Sequence, residues 1–112
     1  MTSKPPRRSA ASKRATLPRA ADCTKALRKE WDRLSQAGRY NMQQLKGVML
    51  LLVANDEQLP AEWLDHELKG DWAGYRECHI GGDFLLIYKL DDSTKPGTIV
   101  FTRAGTHAEL FD

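Results

Sequence analysis

YRECHIGGDFLLIYKL, residues 75–90, reads as two strands joined by a tight turn. In the first strand Tyr75, Glu77 and His79 alternate with Arg76, Cys78 and Ile80, so each set takes one face. Gly81-Gly82 is a two-residue hairpin signal, because such turns need positive φ and glycine reaches it without steric penalty. The second strand, Phe84 to Leu90, is apolar on both faces through Leu85, Leu86, Ile87 and Tyr88. A strand of that kind is covered on both sides and belongs in the middle of a sheet. The hairpin leaves His79 and Asp83 at its tip, flanking the glycines.

The segments before it supply the cover. Residues 20–36 read as a helix with Cys23, Leu27, Trp31 and Leu34 in one stripe, stopped by Gly38. Asn41 reads as the N-cap of a second helix over about 42–54, with Met42, Leu45, Met49 and Leu52 along its apolar face. Such a pair packs on the sheet and buries one face of the central strand. Ala15 to Leu17 suits a short first strand edged by Pro18. Asn55 to Gln58 reads as a polar linker, and Pro60 opens a short helical segment that runs through His66 to Gly70. After the hairpin, Asp91 to Gly97 reads as a loop. Thr98 to Arg103 reads as a last strand with Ile99, Phe101 and Arg103 on one face. The expected fold is α+β: a small antiparallel sheet with an N-terminal pair of helices packed on it.

At 112 residues the chain makes one domain. It has no apolar run of about 18 residues, so no membrane span is expected, and no apolar stretch follows the basic N-terminus as a secretory signal requires. Cys23 and Cys78 match no metal-ligand spacing and are expected as reduced thiols of a cytoplasmic protein. The formal charge of +2 is unevenly spread. Residues 1–20 carry six basic side chains and no acid, leaving 11 basic against 15 acidic residues, a formal −4, for the rest. Residues 1–14 read as a disordered basic tail, either a solvated extension or an arm that tracks phosphates, and 15–112 as the folded domain. A globally basic nucleic-acid binder is thereby excluded for the folded part.

All three histidines, His66, His79 and His107, lie in the second half, with Asp83 and Arg103 at neighbouring turns or strand ends. His79/Asp83 and Arg103/His107 are each four apart. If the last two strands are neighbours, the two tips meet. Two imidazoles serve as general base and acid near neutral pH, and an arginine presents a planar fork to a phosphate. That inventory suits RNA cleavage by the 2′-hydroxyl on the adjacent phosphate, with no metal. The rival inventory is a metallohydrolase site, since His66, His79, Asp83 and His107 are acceptable zinc or iron ligands, although no HExxH-type motif is present.

Two blocks, LPAEWLDHELKGDWAGYRECHIGGDFLLIYKL and TRAGTHAELF, resemble the YafQ family of bacterial toxins, within the RelE/ParE superfamily of type II toxin–antitoxin systems. The resemblance covers about Leu59 to Phe111, while residues 15–58 agree only in arrangement. It implies a compact RelE-like fold and a ribosome-dependent, metal-independent mRNA endonuclease with no cofactor. The partners it implies are the ribosome, mRNA and a cognate antitoxin, with no membrane. It further implies that His107 protonates the 5′-oxygen leaving group and that Arg103 steadies the phosphate. His66, His79 and Asp83 then position or deprotonate the 2′-hydroxyl, with the choice among them open. Phe84, where the family usually has Trp, and Phe111 are the implied substrate-binding aromatics. Phe111 otherwise plugs the C-terminal core. Gly81-Gly82 in place of a more polar turn, a longer Asp91–Gly97 loop and the basic tail also depart from the family pattern. They bear on substrate preference. The alternative function is a catalytically silent or ParE-like binding module of the same fold acting on a protein target.

Overall fold

The computed structural model describes residues 17–54 and 59–112. The expected tail over 1–14, Ala15 and Thr16 of the expected first strand, and the linker over 55–58 lie outside the described residues. Strand β1 spans Ala20–Cys23, helix α1 Lys25–Ala37 and helix α2 Met42–Ala54. Strands β2 to β5 then span His66–Glu67, Arg76–Gly81, Phe84–Asp91 and Thr98–Thr106, and helix α3 closes the chain over His107–Phe111. One five-stranded sheet runs in the order β1-β5-β4-β3-β2.

Strand β4 is central, as its two apolar faces require. Leu86 and Tyr88 turn to the helices, where Leu27 and Leu34 of α1 and Leu45, Val48 and Leu52 of α2 complete the main core with Cys78, Ile80, Ile99 and Phe101. Leu85 and Ile87 turn the other way, into a smaller cluster with Leu110 of α3. Burial pushes the Cys78 thiol up to about 12, the behaviour of an inert core residue. The second helix begins where its cap predicts: Asn41 Oδ1 accepts the Gln44 N–H at 2.9 Å.

Four local expectations are corrected. The strand before the helices lies at Ala20–Cys23, and it pairs in parallel with β5, placing Cys23 opposite Phe101. Helix α1 therefore starts only after Thr24. Hydrogen bonds to β5 override the helical stripe that Cys23 seemed to begin. The segment after Pro60 is not one helix but two 3₁₀ turns, Ala61–Trp63 and Gly70–Trp72, flanking the short strand β2. Leu64 ends the first turn in the left-handed region at φ 49° and sends the chain to the sheet edge. The hairpin turn is Gly82-Asp83, because an irregularity between His79 and Gly81 sets Gly81 opposite Phe84. Gly82, at φ 54°, takes the first central position. Finally, Arg103 does not share a face with Phe101. Phe101 pairs with Tyr88 and Arg103 with Ile87, so Thr102 is an extra, bulged residue that reverses the alternation.

Thr24 holds that bulge. Its hydroxyl accepts the Leu27 N–H at 3.0 Å as the α1 N-cap and donates to the Thr102 carbonyl at 2.6 Å. Thr24→Val keeps the shape and loses both bonds, and is expected to destabilise the protein by about 1–2 kcal/mol. Urea unfolding checks this: the midpoint should fall while the slope stays constant.

Candidate active site

The sheet face away from α1 and α2 carries the polar residues. His66 on β2 pairs with Glu77 on β3, Glu77 with Ile87 on β4, and Ile87 with Arg103 on β5. These four residues form one row across four strands. A second row joins His79, Leu85 and Gly105. Strands lie about 4.8 Å apart, so His79 and Gly105 stand about 10 Å apart on either side of an apolar floor made by Leu85 and Ile87.

On the β2–β3 side, the Glu77 side chain is only 6% exposed and its Oε2 lies 3.3 Å from Nε2 of both His66 and His79. Glu77 thus joins the candidate site, and sequence reasoning missed it. Its alternation with Tyr75 and His79 was the available signal. His66 also places Nδ1 2.8 Å from the carbonyl oxygen of Leu64. The segment carrying it is anchored from behind by Asp65. Asp65 Oδ1 accepts the Tyr88 hydroxyl at 2.5 Å, and Asp65 receives Arg76 Nε and Nη2 at 3.4 and 3.3 Å. Burial, then the bond to Asp65, raises the Tyr88 hydroxyl well above the ordinary tyrosine range and keeps it a donor.

On the β5–α3 side, Asp83 Oδ1 accepts the His107 N–H at 3.1 Å, so the two tips meet as their spacing suggested. The His107 and Phe111 rings lie 4.8 Å apart, and Phe111 in turn faces Trp72 at 6.1 Å. Phe111 thus reaches the site and also packs on the smaller cluster. Arg103 is held by Glu30 of α1, whose Oε2 lies 2.7 Å from Nε and 2.6 Å from Nη2. That grip leaves the Nη1 donors of Arg103 for a phosphate. Phe84 does not join this set. It is 6% exposed, lies on the helix side of the sheet and packs on Tyr40 at 4.9 Å between ring centres. Its ring therefore offers almost no surface for stacking on a base. Among the described residues, no group of three or more His, Cys, Asp or Glu side chains is gathered to hold a metal ion.

Helix α3, which begins with His107, has only five residues and depends on its capping box. Glu109 Oε1 accepts the Thr106 N–H at 2.8 Å while Thr106 Oγ1 accepts the Glu109 N–H, and Arg33 Nη1 lies 2.8 Å from Glu109 Oε2. A Cβ at Gly105 would stand 2.8 Å from Glu109 Oε1, which is why glycine precedes the cap. The Thr106 N–H, and then Arg33, hold the Glu109 carboxyl below its ordinary value of 4.5. A depressed carboxylate stabilises the folded state fully above its unfolded value and loses that contribution as pH falls below it. The helical Cα chemical shifts of residues 107–111 should therefore decline as pH falls below about 4.5, and in Glu109→Gln they should already be reduced at neutral pH.

Residues 19–112 fit the family model described as "Bacterial toxin of type II toxin-antitoxin system, YafQ". The mRNA interferase toxin YafQ of Escherichia coli K12 is 46% identical over 79 residues, covering 70% of this chain and 82% of that protein. The crystal structure of an E. coli YafQ mutant superposes with a TM-score of 0.74 at 39% identity, over 84% of this chain and 99% of that one. YafQ in the E. coli DinJ–YafQ toxin–antitoxin complex gives 0.73 at 40% identity, over 86% of this chain and 100% of that one. With a family match across nearly its whole folded length and the same fold in solved relatives, the chain belongs to the YafQ family of type II toxin–antitoxin toxins.

Proposed function

We propose that this protein is an mRNA interferase that cleaves ribosome-bound mRNA with its own acid and base groups and is neutralised by a cognate antitoxin. The observation that carries the reading is the pairing of opposed groups across one apolar floor. An imidazole pair stands on the β2–β3 side, and Arg103 with His107 stands on the β5–α3 side. The E. coli relatives add support by their names, an mRNA interferase toxin and a toxin bound to the antitoxin DinJ.

In the proposed reaction a base among His66, His79 and Asp83 takes the proton of a ribose 2′-hydroxyl. The 2′-oxygen attacks the adjacent phosphorus, and the P–O5′ bond breaks. His107 gives its proton to the departing 5′-oxygen, and Arg103 offsets charge on the phosphate oxygens. The products are a 2′,3′-cyclic phosphate and a 5′-hydroxyl end. Phe111, packed beside His107, offers a face to a base. Ribosomal presentation of the substrate accounts for a folded region whose formal charge is −4 outside residues 1–20.

The test is mRNA cleavage in a reconstituted translation reaction, with and without ribosomes. Cuts that require ribosomes and leave a 2′,3′-cyclic phosphate are expected. His107→Ala should lower cleavage by about 10²–10⁴-fold while leaving the thermal midpoint and antitoxin binding intact. Wild-type cleavage by that variant would remove His107 as the acid. A folded wild-type protein that makes no cuts would favour the binding-module alternative.

A further inference from the structure

We infer that Glu30 of α1 is the positioning residue of Arg103, and that it fixes which edge of the guanidinium is left for a phosphate. The inference rests on the cleavage reading above and adds to it a residue that acts through another. Glu30 stands three residues after Leu27 and four before Leu34, both buried, so it lies along the stripe that α1 turns to the sheet. Its side chain is 12% exposed, against 29% for Arg103. The contact is made where β1 runs out. The β1–β5 pairing ends with Cys23 opposite Phe101, and Thr24 then bonds the Phe101 and Thr102 carbonyls from the start of α1. Beyond that point a side chain of α1, Glu30, takes the place of a strand partner for β5. Ala104 is buried, and its N–H donates to Glu30 Oε1 at 3.1 Å.

The other oxygen of the same carboxylate holds the guanidinium. Oε2 accepts the Arg103 Nε–H at 2.7 Å and lies 2.6 Å from Nη2. Nε and Nη2 make one edge of the planar fork, so that edge is occupied. Nη1 has no partner among the described residues, so the terminal edge, Nη1 with Nη2, is the one that can meet a phosphate bidentately. An arginine without such a hold spreads its long side chain over several rotamers. Pinning one edge aims the remaining donors before the reaction starts, and preorganised donors stabilise developing charge without having to reorganise. The two oxygens therefore have separable tasks: Oε1 satisfies the sheet backbone, and Oε2 orients Arg103. A carboxylate beside the guanidinium also has an opposing effect, since it lowers the positive potential that a phosphate meets. Orientation and damping predict opposite signs when the charge is removed, so a substitution separates them.

Glu30→Gln is that substitution. The amide oxygen keeps an acceptor for the Ala104 N–H, while the amide nitrogen in place of Oε2 cannot accept from Arg103. Three measurements are made on the purified full chain. Nitrogen-15 spectra without substrate should show a slowly exchanging Arg103 Nε–H in the wild type and faster exchange in the variant. The Ala104 amide should keep its protection from hydrogen exchange in both. Cleavage of mRNA on programmed ribosomes should show kcat lowered about 10–100-fold with KM unchanged. A rapidly exchanging Arg103 Nε–H in the wild type, which needs no variant, would overturn the inference. So would a wild-type kcat in Glu30→Gln, or a lower KM with kcat retained, the mark of charge damping alone. Loss of Ala104 protection together with kcat would also overturn it, because that marks a merely structural role. A wild-type protein that never cuts mRNA while its Arg103 Nε–H is held would sink the cleavage reading and leave the hold on Arg103 standing.

Discussion

Strand β4 must be covered on both faces, and the rest of the molecule answers that requirement. Leu86 and Tyr88 need the two long helices, and Leu85 and Ile87 need the C-terminal helix with the aromatic residues around it. Pairing with β3 on one edge and β5 on the other leaves β4 no room for reactive side chains. The polar side chains of the candidate site therefore sit on its neighbours, in register with β4 residues that form the floor. Removing water from that floor also strengthens the polar contacts at its margins.

Irregular backbone is concentrated around this face. One irregularity lies beside His79, a bulge at Thr102 precedes Arg103, and a left-handed Leu64 precedes Asp65 and His66. Each re-aims a side chain that regular alternation or a continuing helix would have sent elsewhere. Two of these departures have a named hydrogen-bonded hold. Thr24 grips the Thr102 carbonyl, and Tyr88 with Arg76 grips Asp65. Such holds allow a sparsely populated backbone conformation to persist.

Two carboxylates on the core side of this constellation shape its electrostatics. Glu30 takes two donors of Arg103 and the Ala104 N–H, and Glu77 Oε2 lies 3.3 Å from Nε2 of both His66 and His79. Arg103 and the two imidazoles thus each lie against a carboxylate that is itself mostly buried.

Much of this was legible in the chain. The two-faced apolar run Phe84 to Leu90, the Asn41 cap and the stripe Met42, Leu45, Met49 and Leu52 are local patterns, and local patterns set the central strand and the second helix. The placing of His79 and Asp83 near the hairpin tip and the meeting of Asp83 with His107 follow from spacing around turns. Only the tertiary structure decided the parallel pairing of β1, which depends on where the ends of a long connection come to rest. The same holds for the face taken by Arg103, since a one-residue bulge leaves no trace in residue type. It also holds for Phe84, whose aromatic character suits a binding platform and a core equally until Tyr40 covers it. Glu77 is the sharpest case. Alternation put it on the face of His79, but its place between two imidazoles comes from His66 on the neighbouring strand β2, and that contact exists only in the folded sheet.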